Sequence, residues 1–146
     1  MNIKILKIEE GNLKTFGEIL VPPIGLAPEV YEDEIFKFYV TFKEKAIGWQ
    51  IGYLDQMGGK VDKLECHPNT SEVFIPLSGE VIILLSVHPS KDISAFKLDL
   101  PIVLNKGVWH AVISLTESSK ILIVESPDVI DEYYELNEII DKSNLL

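Results

Sequence analysis

GKVDKLECHPNTSEVFIPLSG, residues 59–79, has a glycine at each end and Glu65, His67 and Glu72 between them, in the spacing G-x5-E-x-H-x4-E-x6-G. A shorter stretch, NKGVWH at residues 105–110, ends in His110. Glu65 and His67 are two residues apart, so on a strand both point to one face together with Val61 and Lys63, while Leu64 and Cys66 face the other way. Pro68-Asn69 turns the chain, and Glu72 then opens a strand that carries Phe74 on the same face. His110 shares its face with Val108, Val112 and Ser114, opposite Trp109 and Ile113. A small closed sheet would bring Glu65, His67, Glu72 and His110 to one point in its interior.

The flanking sequence supports an all-β reading. Residues 3–8 and 35–42 alternate as half-buried strands do, the latter with Phe36, Phe38, Val40 and Phe42 on one face. Further strands are expected over 46–54, 60–67, 72–76, 80–88, 96–104, 108–115 and 120–125. Turn signals at Gly58-Gly59, Pro68-Asn69, Ser78-Gly79, Pro89-Ser90 and Asn105-Lys106-Gly107 separate most of them. Many short strands at near-regular spacing predict a sandwich or a barrel. Residues 20–34, with Pro22, Pro23 and Pro28, read as a loop over one end. After residue 125 the pattern changes. Ser126-Pro127-Asp128 has the form of a helix start, and Val129, Tyr133, Leu136 and Ile140 fall at helical spacing, which predicts a C-terminal helix over about 127–141.

The bulk composition narrows the possible partners. A chain of 146 residues, 47% apolar and 25% charged, suits one domain around one core. The net charge of −10 repels phosphate backbones, so nucleic acid is not an expected partner. No apolar run approaches the roughly 20 residues of a membrane span, and residues 1–10 lack the apolar core of a secretion signal, which predicts a cytoplasmic protein without membrane contact. The single cysteine, Cys66, has no partner for an internal disulfide. All 13 basic residues are lysine, with no arginine in the chain. An anion bound here must therefore be held by lysine, by backbone N–H groups or by a metal.

Two imidazoles and two carboxylates converging in an apolar interior suit a divalent transition metal, and Ni, Mn, Fe and Zn accept that set about equally. Such a metal binds a carboxylate or hydroxyl and stabilises developing negative charge. A glutamate outside the coordination shell is free to move a proton. The same residues without a metal form a hydrogen-bonding, acid–base cluster. His88, before Pro89, is expected at the surface. Cys66 is expected to be a buried thiol facing away from the site.

The two stretches resemble the two cupin motifs, G-x5-H-x-H-x3-4-E-x6-G and P-x-G-x2-H. Gly59, His67, Glu72, Gly79, Gly107 and His110 stand in register. Glu65 occupies the usual first histidine position and Asn105 the usual proline. Within the cupins the chain is most similar to the ureidoglycolate lyase family, whose pattern runs E-R-H-P, S-Q-A-F-I-P-L and G-x-W-H-x-P. The matching segments are Glu65-Cys66-His67-Pro68, Ser71 to Leu77 and Gly107-Val108-Trp109-His110. Phe16-Gly17-Glu18-Ile19-Leu20 resembles that family's N-terminal (Y/F)-G-D-V-I element. The similarity extends over roughly residues 12–125. Cys66 stands where the family has arginine, Glu72 where it has glutamine, and Val112 where it has proline. A glutamate at 72 is a better metal ligand than an amide.

The resemblance implies a cupin-type β-barrel of the jelly-roll kind occupying residues 1–125 of a single domain, 1–146, with the helix appended. It implies a homodimer and a lyase of purine degradation that splits ureidoglycolate into glyoxylate and urea. A divalent metal, often nickel, accompanies the family. His67, Glu72, His110 and Glu65 would be the metal set. Glu65, Glu72, His67 and His110 would line the pocket catalytically, and Lys63 and Lys106, with Lys60, would meet the carboxylate of a small hydroxy acid. Two other classes fit the same residues: another metal-dependent cupin enzyme, an isomerase or dioxygenase, and a non-catalytic cupin that holds a small metabolite.

Overall fold

A computed structural model describes all residues, 1–146. The secondary structure is β1 (Ile5–Lys7), α1 (Glu10–Leu13), β2 (Gly17–Ile19), β3 (Val30–Glu32), β4 (Phe36–Phe38), β5 (Gln50–Gln56), β6 (Lys60–Cys66), β7 (Glu72–Ser78), β8 (Val81–Ser86), β9 (Ser94–Lys97), β10 (Ile102–Leu104), β11 (Trp109–Ser114), β12 (Ser119–Glu125) and β13 (Glu132–Asp141). A single 3₁₀ turn, Lys142–Asn144, follows. Six strands form one sheet in the order β1-β9-β8-β11-β6-β13, five form a second in the order β2-β10-β7-β12-β5, and β3 and β4 form a separate hairpin.

The expected all-β jelly-roll architecture is present as two sheets, and no strand pairing joins them into a closed barrel. From β6 to β8 and again from β9 to β13, the chain passes from one sheet to the other at each turn. The crossings hold Pro68, Gly79, Pro101, Gly107 and Pro127. Proline lacks the N–H that a continuing ladder needs, and positive-φ glycine turns the strand away. Gly79 and Gly107 both have φ of 79°. At Gly79 a Cβ would also sit 2.5 Å from Ser119 Oγ, so the last glycine of the 59–79 stretch is required on both counts. Pro101 likewise splits the expected 96–104 strand into β9 and β10.

The main core lies between the sheets, where Phe74, Val81, Ile83, Leu85, Phe96, Ile102, Leu104 and Ile121 meet. A second cluster, with Leu64, Ile82, Leu84, Ala95 and Ile113, covers the other face of the six-stranded sheet. Ile3, Ile140 and Leu145 join that cluster, and Ile3 bridges to Leu145, so the two chain ends roof this face. Strand β8 is consequently buried on both faces and reads as a continuous apolar run. Each of its isoleucines and leucines contributes about 1.5–3 kcal/mol through burial. Gly17 brings β2 so close to β10 that a Cβ would stand 1.9 Å from the Val103 carbonyl oxygen.

The expected C-terminal helix is also corrected: residues 132–141 form β13, which pairs antiparallel with β6. Its register shifts between Glu135 and Ile140. That irregularity spaces the apolar residues so that they mimic a helical stripe. The free edge of β6 needs hydrogen-bonding partners, and two tyrosines and two isoleucines favour the extended form. Ser126-Pro127-Asp128 turns the chain instead of capping a helix. Asn69 holds it there, donating to the Asp128 carbonyl at 2.8 Å and accepting from the Ile130 N–H at 2.9 Å. The expected 35–42 strand shrinks to β4, and the 20–34 loop contains β3. No helix is long and apolar enough to cross a membrane.

Candidate metal and acid–base site

Strand pairing builds the site. His110 on β11 lies directly opposite Glu65 on β6, so both side chains share the inner face. Glu72 begins β7 in the facing sheet. His67 follows β6 at the turn, tied there because its carbonyl accepts the Gly107 N–H at 2.9 Å. The two imidazole rings lie 5.1 Å apart, and Phe74 packs edge-on against His110. Glu72 Oε2 stands 3.2 Å from His67 Nε2 and 3.0 Å from His110 Nε2. Glu65 Oε2 is 4.0 Å from His67 Nε2. The structure thus brings together all four residues of the two motifs.

Glu65, Glu72 and His110 also line a cavity of about 310 Å³ between the sheets, as do Lys60, Lys63 and Tyr133. Tyr133 donates to Glu65 Oε1 at 3.3 Å, and Lys63 Nζ sits 4.8 Å above the Tyr133 ring. Lys106 is elsewhere: it pairs with Glu44 at 3.5 Å and is not part of the cavity wall. Cys66 is buried and unpaired, on the face away from the site, and His88 is exposed.

Three residues of the site lie outside the motifs. Glu125, at the end of β12, places Oε2 at 3.8 Å from His67 Nε2. Asp131 places Oδ1 at 3.1 Å from His67 Nδ1. Tyr133 holds Glu65. A signal for Glu125 was present in the sequence, since Ile121, Ile123 and Glu125 alternate onto one face. Asp131 and Tyr133 were hidden by the helical reading of their segment.

The hydrogen-bonding of the rings tests whether a metal fits. His110 Nδ1 lies 3.0 Å from the Val108 carbonyl oxygen. His67 Nδ1 faces the Ile130 carbonyl oxygen at 3.2 Å as well as Asp131. These neighbours are acceptors, so each Nδ1 carries the hydrogen and each Nε2 turns toward Glu72. Metal-bound histidines are oriented by this same kind of bond from the other ring nitrogen. Each Nε2 then either holds a second proton or presents a lone pair to an anionic oxygen. Glu125 Oε2 is buried without any hydrogen-bond donor, and Glu72 Oε2 is buried with only the two Nε2 atoms to face it. Such a set is stable only with positive charge among its donors, and the residues fit a divalent cation. One atom each from Glu65, His67 and His110, and one each from His67, Glu72 and Glu125, lie within 4.8 Å of one another.

Without a cation, protons fill that role. Burial alone would lower His67, but the Glu72 carboxylate overcomes it and raises the ring from 6.5 to about 9. His110 is raised as well, with burial opposing and Glu72 prevailing. Burial would push Glu72 up, yet hydrogen bonds from His110 and His67 hold it at about 2, against an ordinary 4.5. Glu125 is pushed up by burial and by the Glu72 charge, with Gln50 and His67 opposing.

A raised histidine stabilises the fold fully below 6.5, and that contribution is lost as pH rises through about 9. A lowered carboxylate stabilises fully above 4.5 and loses its effect as pH falls through about 2. Protein stripped of metal is therefore expected to have a melting temperature that declines between pH 6.5 and 9. Glu72→Gln should flatten that limb. Thermal denaturation over this range, with a chelator present, checks both, and an identical decline in the variant would reject the ion cluster as the cause.

A family model described as "Ureidoglycolate lyase" matches residues 29–145. No curated protein matches the chain. Among solved structures, QdtA, a sugar 3,4-ketoisomerase from Thermoanaerobacterium thermosaccharolyticum in complex with TDP, aligns at 21% identity and a TM-score of 0.44, covering 62% of this chain. The aligned part spans 64% of that enzyme's chain. WlaRB, a TDP-quinovose 3,4-ketoisomerase from Campylobacter jejuni, aligns at 19% identity and a TM-score of 0.44, over 65% of this chain and 71% of its own. An oxalate decarboxylase aligns at 16% identity and a TM-score of 0.44, over 61% of this chain and 24% of its own.

Proposed function

This chain belongs to the ureidoglycolate lyase family, a cupin-type family, and from that premise we propose that its inter-sheet cavity cleaves ureidoglycolate to glyoxylate and urea. One observation carries the reading: His110 and Glu72 meet at the wall of a cavity that also holds Glu65, Lys60 and Lys63, with His67 behind them at 3.2 Å from Glu72. The reaction removes a proton from the carbinol hydroxyl, breaks the C–N bond, and returns a proton to the departing urea nitrogen. Carbon gains its carbonyl as the bonding pair leaves with nitrogen.

Glu65 is the group that moves the proton. Its carboxylate is partly open to the cavity and oriented by Tyr133. Glu72, held at about 2 between two imidazoles, is too weak a base for that work. Lys63 and Lys60 supply the positive charge for the substrate carboxylate in a chain without arginine. His67, His110 and Glu72 would hold a divalent metal, whose chemistry there would be Lewis-acid stabilisation of negative charge on the substrate oxygen. Phe74, Val112 and Ile123 form apolar wall and limit water around the reacting bond.

The reading extends to assembly as a homodimer. Hairpin β3–β4 joins neither sheet, and its residues are exposed. The outer face of the five-stranded sheet is apolar and uncovered around Ile51 and Tyr53. A second copy would give each surface its partner.

Glyoxylate release from ureidoglycolate by metal-supplied protein is expected well above the spontaneous rate. Glu65→Gln should lower kcat by about 10²–10⁴-fold, the usual worth of a positioned acid–base group. Wild-type release no faster than in buffer, with nickel or manganese present, would reject the activity. Full activity in the variant would remove Glu65 from the proton path.

A further inference from the structure

Glu125 stands outside both sequence motifs, yet its backbone is tied on either side. It pairs with Gln50 across β12 and β5, and the next residue, Ser126, donates its N–H to Thr70 Oγ1 at 3.1 Å. The alternation that buries Ile121 turns Glu125 inward as well. Its two oxygens are in different positions chemically. Oε1 accepts from Gln50 Nε2 at 3.0 Å, whereas Oε2 is buried, has no donor, and points to within 3.8 Å of His67 Nε2. Glu72 Oε2 is buried too and faces only the Nε2 atoms of His67 and His110. A loop of favourable placements thus ends in two anionic oxygens and one imidazole nitrogen, all within 4.8 Å.

We propose that Glu125 is a ligand of the divalent cation, forming with His67 and Glu72 a coordination set that the 59–79 and 105–110 stretches do not specify. The inference rests on the metal reading above and changes its geometry. A cation among His67, Glu72 and Glu125 draws on both sheets, since Glu125 and Glu72 come from the five-stranded one. With His110 Nε2, 3.0 Å from Glu72 Oε2, completing the set, two imidazoles and two carboxylates suit Mn²⁺, Fe²⁺, Ni²⁺ or Zn²⁺. Gln50 then acts as a positioning residue, holding the remote oxygen so that the other faces the ion. Glu65 is left uncoordinated, as a base requires.

Titration of chelator-stripped protein with Mn²⁺ tests this without reference to turnover. Wild type is expected to take up one ion per chain, and Glu125→Gln to bind at least about tenfold more weakly, because even groups behind the ligands are worth about 10–100-fold. Wild-type affinity in Glu125→Gln, with uptake by wild type intact, overturns this inference alone. No uptake by wild type overturns it together with the metal reading. Diffraction from Mn²⁺-soaked wild-type crystals decides independently of how the variant folds. An anomalous peak within coordinating distance of Glu125, about 2.6 Å or less, supports the assignment, and any more distant peak overturns it.

Discussion

The chain carrying His67→Ala and His110→Ala together is expected to bind divalent metal at least about a hundredfold more weakly than wild type and to release glyoxylate only at the spontaneous rate. Loss of an outer partner of a metal-bound histidine already costs about 10–100-fold, and this variant loses two of the inner nitrogens. The rings are suited to be ligands because both Nδ1 atoms are occupied by carbonyl oxygens, leaving the Nε2 atoms aimed at Glu72. Their removal also strips Glu72 of the hydrogen bonds that hold it at about 2, and its burial then drives the carboxyl upward toward the neutral form. The site thus loses donors and charge together. Metal analysis after purification without chelators, paired with a melting curve to establish folding, reads the result. Stoichiometric metal in a folded double variant would place the ligands elsewhere in the chain.

Strand alternation carried most of what could be read about the site. Glu65 and His110 share a face because each sits on a regular strand, where side chains alternate between the two faces. Their direct cross-strand pairing bears this out. Glu125 obeyed the same rule, but lay beyond the spacing that drew attention to residues 59–79. Period-based reading failed where a bulge intervenes. In 132–141 the register shift between Glu135 and Ile140 places Tyr133, Leu136 and Ile140 at intervals of three and four, which a helix would also produce. Only the tertiary fact of an unpaired β6 edge distinguishes the two, and that fact is not local. The same holds for closure: turns at Pro68, Gly79 and Gly107 are visible in the sequence, whereas the interruption of the ladder at those turns depends on which sheet each strand joins.

Substituting Phe36→Asp and Phe38→Asp together is expected to break the proposed homodimer, raising its dissociation constant at least about a thousandfold. The hairpin pairs with no other strand of its own chain. Val30 pairs with Phe38 and Glu32 with Phe36, so Val30, Phe36 and Phe38 fall on one face, and all three are exposed by 45–54% of their surface. An isolated two-stranded hairpin is at best marginally stable in water. The five-stranded sheet presents a matching deficit, with Ile51 57% and Tyr53 62% exposed on its outer face and Trp49 70% exposed just before β5. Apolar surface of that extent marks an interaction site. A two-fold pair in which each hairpin covers the other chain's sheet satisfies both surfaces with one operation. Buried aromatic anchors commonly cost about 2 kcal/mol or more each when lost, and a two-fold axis doubles every substitution. A thousandfold change needs only about 4 kcal/mol. Sedimentation across a concentration series separates the outcomes. A wild type that stays monomeric throughout, or a double variant that still dimerises with wild-type affinity, would leave these surfaces without the second copy argued for here.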